Sequence, residues 1–118
     1  MGNLSNKMKN VPGLLEGYYK KTGLRLFPGS LNVKLENDFN MPDRAIRLEQ
    51  EDYGGTVSVS LIRCKFLNTE AFIVRTDKAE RGEGRCHPKT IIEILSDLKL
   101  RETYNLKDGD EVEIIVDS

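Results

Sequence analysis

Apolar and polar residues alternate most regularly in two places. Leu31, Val33 and Leu35 alternate with Asn32 and Lys34, while Val112, Ile114 and Val116 alternate with Glu111 and Glu113. Each run predicts a strand with one buried and one solvated face. Pro28-Gly29-Ser30 is a turn opening into the first, and Asp108-Gly109 is a turn signal before the second. Near the N-terminus, Val11-Pro12 starts a helix, Leu14, Leu15, Tyr18 and Tyr19 form its apolar stripe, and Gly23 stops it. Residues 36–42 are polar and turn-rich, and residues 45–48 make a short strand before the Tyr53-Gly54-Gly55 turn.

In residues 56–66 the alternation changes phase. Val57, Val59 and Leu61 share one parity, whereas Ile62, Cys64 and Phe66 take the other, so a bulge or sharp bend is expected near Leu61. Residues 67–70 read as a hairpin turn and residues 71–75 as the returning strand, paired with the one before. Residues 77–84 are charged and carry two glycines, predicting an exposed loop. The β-branched residues at 90–95 and the preceding Pro88 favour a further strand. Ser96 then suits the N-cap of a short helix through Tyr104, with Asn105 in the left-handed terminus. Five or six strands and two short helices without regular alternation predict a mainly β fold, a small closed antiparallel barrel.

The 118 residues are the length of one domain, and 38% hydrophobic content suffices for one core. With 18 basic and 19 acidic residues there is no global field to attract nucleic acid or an anionic membrane, so an anion site must be local. No apolar run approaches the roughly 20 residues of a membrane span, and no signal peptide is evident. The expectation is a soluble, cytoplasmic protein. Cys64 and Cys86, with only His87 beside them, match neither a disulfide framework nor zinc-ligand spacing and read as free thiols.

The candidate chemistry lies at the first of the two alternating strands. Ser30, Asn32 and Lys34 line one face, offering a hydroxyl, an amide oxygen and an ammonium. Such a set suits Mg²⁺ carrying phosphates, because that ion takes few protein oxygens and leaves its other positions to phosphate and water. The same residues also read as an ordinary turn followed by exposed polar strand positions.

Residues 24–35, followed by Ile92-Glu93-Ile94, then by Leu98-Lys99-Leu100-Arg101-Glu102 and by residues 106–110, resemble the CTP-dependent riboflavin kinases in order and spacing. The resemblance implies a cradle-loop barrel that transfers the terminal phosphoryl group of CTP to riboflavin, giving FMN and CDP. It further implies Mg²⁺ as cofactor, on Ser30 and Asn32 in place of the family's Thr and Asn. The family's flavin-binding Glu falls on Glu93, which is also the one candidate catalytic carboxylate. Nucleotide contacts are implied at Leu98, Lys99, Leu100 and Arg101, although Arg101 would equally suit a surface ion pair with Glu102 or Asp97.

Two departures accompany this likeness. The family's leading strand and glycine-rich phosphate loop are represented only by Gly2, Asn3, Leu4 and Ser5, so the barrel is expected to lack its first strand and to leave an edge open to self-association. The family's second flavin-contacting position, a Thr, falls on Arg85, which would then contact substrate or phosphate. The alternative expectation is a non-catalytic flavin- or nucleotide-binding module, and beyond it a barrel that serves only protein interaction.

Overall fold

A computed structural model describes residues 14–26, 31–54, 58–82 and 88–116. Gly2, Asn3, Leu4, Ser5, Ser30 and Arg85, together with the expected missing strand, lie outside the described residues.

The described chain is mainly β, a curled antiparallel half-barrel with a few short helices. Its elements are α1 (Leu14–Thr22), β1 (Leu31–Lys34), β2 (Ile46–Leu48), α2 (Gln50–Tyr53), β3 (Val59–Phe66), β4 (Thr69–Thr76), α3 (Asp77–Glu80), β5 (Ile91–Leu95), α4 (Leu100–Thr103) and β6 (Ile114–Val116). The strands run in the order β1-β5-β4-β3-β2, and β6 also pairs with β3. β2 takes the first half of β3 (Ile46 opposite Leu61) and β6 the second (Phe66 opposite Ile114).

The expected bulge in β3 is absent. Val59 to Phe66 pair residue for residue with Thr76 to Thr69, without a break. The phase change has a different cause, because both faces of this strand are covered. Val59 and Leu61 pack with Tyr18, Leu26, Leu48, Phe72, Val74 and Leu95. Ile62, Cys64 and Phe66 pack on the opposite face with Ala71, Ile73, Ile92, Ile94 and Leu100. A strand buried on both faces loses its alternation, as buried strands do generally.

α1 lies on the first of these faces. Tyr18 is fully buried, whereas Tyr19 is exposed. Gly17 permits the close approach, since a Cβ there would stand 3.2 Å from Leu48 Cδ1. The helix ends as expected: Gly23 is left-handed at φ +79° and donates to the Tyr19 carbonyl at 2.8 Å.

Two expectations about connections are corrected. Residues 77–84 were expected as loop only, but Asp77–Glu80 form one helical turn, capped by Thr76 Oγ1 accepting from the Ala79 amide at 3.2 Å. Ser96 does not cap the following helix. α4 begins at Leu100 behind Lys99, and Ser96 is buried, donating to the Glu70 carbonyl and accepting from the Leu98 amide. Its hydroxyl closes a tight turn three residues too early to cap the helix. Asn105 does adopt the left-handed conformation, with φ 51°.

Two arginines tie the connections to the sheet. Arg47 on β2 donates to Ser60 Oγ at 2.7 Å and to both Asp77 oxygens at 2.7 and 2.9 Å, and also bridges Glu49. Its guanidinium holds the Asp77 carboxyl below the usual carboxylate range. Arg75 on β4 is buried and donates to Glu80 Oε1 at 3.0 Å, to the Lys89 carbonyl at 3.4 Å and to the Phe39 carbonyl.

Candidate functional site

β1 forms one edge of the described sheet, with β5 on its inner side. Its outer side borders an open groove of about 840 Å³, walled by residues 31–36 on one flank and by Arg101 with residues 106–114 on the other. Local hydrogen bonding holds that second wall. Leu106 N–H donates to the Arg101 carbonyl at 2.8 Å, Lys107 N–H to Asp110 Oδ2 at 2.8 Å, and Asp110 N–H to the Lys107 carbonyl at 3.0 Å. Gly109 completes the turn at φ +91°, a conformation that a side chain would strain. β6, paired to β3, then returns the chain to the sheet.

The register of β1 on β5 places Asn32 directly opposite Glu93, Val33 opposite Ile92 and Leu31 opposite Ile94. Facing residues of an antiparallel pair project to the same side, with Cβ atoms about 4.5–5.5 Å apart. Asn32 and Glu93, 61 positions apart in sequence, are thus brought together. Leu31 and Val33 are turned to the other face and packed on the core cluster of Ile92 and Ile94. Asn32 is exposed and Glu93 half-buried. Asn32 also lines the groove. It therefore stands between two compartments, the groove outside β1 and the sheet face carrying Glu93.

The four residues of 98–101 separate. Leu98 is exposed, Leu100 is buried in the core, and Lys99 pairs with Glu102 at 2.9 Å. Only Arg101 reaches the groove wall, where it meets Asp108 at 3.2 Å and neither Glu102 nor Asp97. Both partners of that bridge are more than half exposed, so the guanidinium is available to a stronger anion at little cost. Lys34 and Lys107 add further cations to the groove lining, which also carries Glu36, Asp108, Asp110, Glu111 and Glu113.

Sequence did not mark Lys107, Asp110, Glu111 and Glu113 as lining a site, although residues 106–110 carried part of the family resemblance and the Asp108-Gly109 turn was legible. Among the described residues no three His, Cys, Asp or Glu side chains cluster as a metal cage. The groove offers the exposed Asn32 amide and carboxylates that do not close into a cage, a donor set that suits Mg²⁺ shared with phosphates better than a resident ion held by protein alone. None of the described helices is long and apolar enough to cross a membrane.

Comparison with known sequences decides the relationship. Residues 9–116 match the model of the CTP-dependent riboflavin kinase family, which carries the description "Domain of unknown function DUF120". The chain belongs to this family. Among similar proteins, the riboflavin kinase of Pyrobaculum aerophilum is 33% identical over 115 residues, covering 85% of this chain and 50% of the relative. That of Methanocella arvoryzae is 32% identical over 127 residues, covering 92% and 55%. That of Sulfolobus acidocaldarius is 28% identical over 118 residues, covering 91% and 70%. The chain spans about half the length of the first two relatives. The family match takes in β1, β5 and the groove wall together, so the whole described site lies inside it.

Proposed function

We propose that this chain is a riboflavin kinase, transferring the terminal phosphoryl group of CTP to the ribityl hydroxyl of riboflavin to give FMN and CDP. Asn32 carries this reading, because it both lines the groove and stands opposite Glu93. The groove takes the nucleotide triphosphate. Lys34 and Arg101 meet its oxygens with charge-assisted hydrogen bonds, and Gly2, Asn3, Leu4 and Ser5 would supply backbone donors; of residues 98–101 only Arg101 is placed to take part. Riboflavin lies on the other side of Asn32, against Glu93, and Arg85 would be a further substrate contact.

Mg²⁺ would be held by Asn32 with Ser30, and when bound it neutralises charge on the nucleotide oxygens. The residues themselves mostly position the reactants, since phosphoryl transfer passes through a loose transition state that asks little covalent chemistry of the protein. As the ribityl oxygen bonds to the terminal phosphorus, the bond from that phosphorus to the CDP oxygen breaks, and the hydroxyl proton passes to the Glu93 carboxylate. Riboflavin, FMN, CTP and CDP are all water-soluble, in keeping with a cytoplasmic location.

The reading is tested by incubating the protein with riboflavin and Mg²⁺ plus either CTP or ATP, and separating the flavins by chromatography. FMN formed with CTP in preference to ATP is the expected result. Riboflavin binding without product under both conditions would replace the kinase by a flavin-binding module.

A further inference from the structure

Tyr18 is fully buried, and its hydroxyl makes no hydrogen bond among the described residues. A buried donor left without a partner loses its water and gains nothing in return, so a hydroxyl at this position calls for an explanation. Phenylalanine would fill the same space without that cost. The position of the ring supplies the explanation. Tyr18 belongs to the cluster containing Val74 and Leu95. Val74 is the cross-strand neighbour of Glu93, and Leu95 lies two residues along β5 on the same face. The face on which α1 sets Tyr18 is therefore the face from which Glu93 projects.

We infer that Tyr18 is a positioning residue, whose hydroxyl donates to the Glu93 carboxylate when riboflavin occupies the site and fixes that carboxylate toward the ribityl alcohol. Burial first, and then the neighbouring Tyr53 and Glu93, push the Tyr18 phenol well above its ordinary range, so it remains a protonated donor under any working condition. The charged acceptor that this donor needs is the one the reaction uses. The inference rests on the proposed role of Glu93, and it adds a residue from α1, an element that touches neither the groove nor β1 in that reading.

The test compares wild type, Tyr18→Phe, Glu93→Gln and the double variant. Three readouts are taken: thermal unfolding without ligand, riboflavin affinity by fluorescence quenching, and steady-state FMN formation with CTP and Mg²⁺. Tyr18→Phe should unfold at or above the wild-type temperature, while riboflavin affinity and kcat each fall about ten- to hundredfold, the range for a hydrogen bond to a charged group. KM for CTP should stay within about twofold, because the nucleotide lies beyond β1. The double variant should be no worse than Glu93→Gln alone, since the hydroxyl acts through that carboxylate. Wild-type riboflavin affinity and turnover in Tyr18→Phe would overturn the inference, as would a several-degree loss of thermal stability with unchanged flavin affinity, or fully additive effects. If wild type binds riboflavin but makes no FMN, the kinase reading fails and the affinity comparison still decides the role of Tyr18. Absence of any riboflavin binding overturns both.

Discussion

Replacing Glu80 by Gln tests the clamp that joins α3, β4 and the lead into β5, the strand bearing Glu93. Arg75 is 5% exposed and donates to Glu80 Oε1 at 3.0 Å, while Glu80 Oε2 reaches Lys89 Nζ at 3.4 Å. Removing one partner of a fully buried ion pair costs about 3–5 kcal/mol. Here the cost is smaller for two reasons: Glu80 is one-third exposed, and Arg75 keeps the carbonyl oxygens of Phe39 and Lys89 as acceptors. A loss of about 1–2 kcal/mol at neutral pH follows, or about 5–10 °C in Tm for a domain of this size. Burial alone would raise the Glu80 pKa, but the hydrogen bond and charge of Arg75, with Lys89 and a backbone bond from Met41, outweigh it and hold the folded value below the ordinary 4.5. A carboxyl depressed in the folded state contributes its stabilisation in full above the unfolded pKa and loses it as pH falls through the folded one. Wild type and Glu80→Gln should therefore differ at pH 7, with the gap narrowing as pH falls below the ordinary 4.5 and closing below the depressed folded pKa. Urea unfolding across that range measures the gap. Equal stability at pH 7, or a gap that persists unchanged into acid, would refute the clamp.

Further outcomes follow from the groove and the core. Lys34→Ala and Arg101→Ala should each raise KM for CTP about tenfold or more, the loss of one charge-assisted phosphate contact, and leave riboflavin affinity unchanged; unchanged nucleotide kinetics in both would remove the triphosphate from the groove. Arg101→Ala should leave Tm nearly unmoved, because its bridge to Asp108 is solvent-exposed. Leu48→Ala, at a side chain 1% exposed beneath α1, should cost about 2–5 kcal/mol in urea unfolding; a cost below about 1 kcal/mol would mean that α1 does not depend on this contact.

Much of the fold was legible because alternation is a local property. β1, the β3–β4 hairpin, β5 and the left-handed positions at Gly23 and Asn105 all follow from neighbouring residues. Two of the misread features depended on what lies across the sheet. The phase change in β3 looked like a bulge because sequence does not reveal that both faces are covered, one by α1 and the other by Leu100 of α4 with Tyr104 and Leu106. Ser96 looked like a cap because its use by the Glu70 carbonyl comes from a strand 26 positions away. The turn at Asp77 was missed although Thr76 was a fair N-cap signal, since charge and glycine content dominated the reading. At the candidate site, Asn32 stood out on the polar face of its strand and Glu93 by resemblance, but their placement opposite one another is a matter of register. No local pattern fixes register between strands so far apart. Tyr18 was read as one member of an apolar stripe, and only its buried hydroxyl and the position of Glu93 give it another meaning.

The central claim is that Asn32 joins the nucleotide groove to the flavin side of the sheet through a divalent cation. It is tested most directly by Asn32→Ala in the Mg²⁺-dependent conversion of riboflavin and CTP to FMN and CDP, with thermal unfolding as control. The account predicts an unchanged Tm, since the side chain is exposed, and a loss of turnover of roughly a hundredfold or more, the scale of removing one electrostatic contact to a transition state. Turnover at the wild-type rate in Asn32→Ala would contradict it.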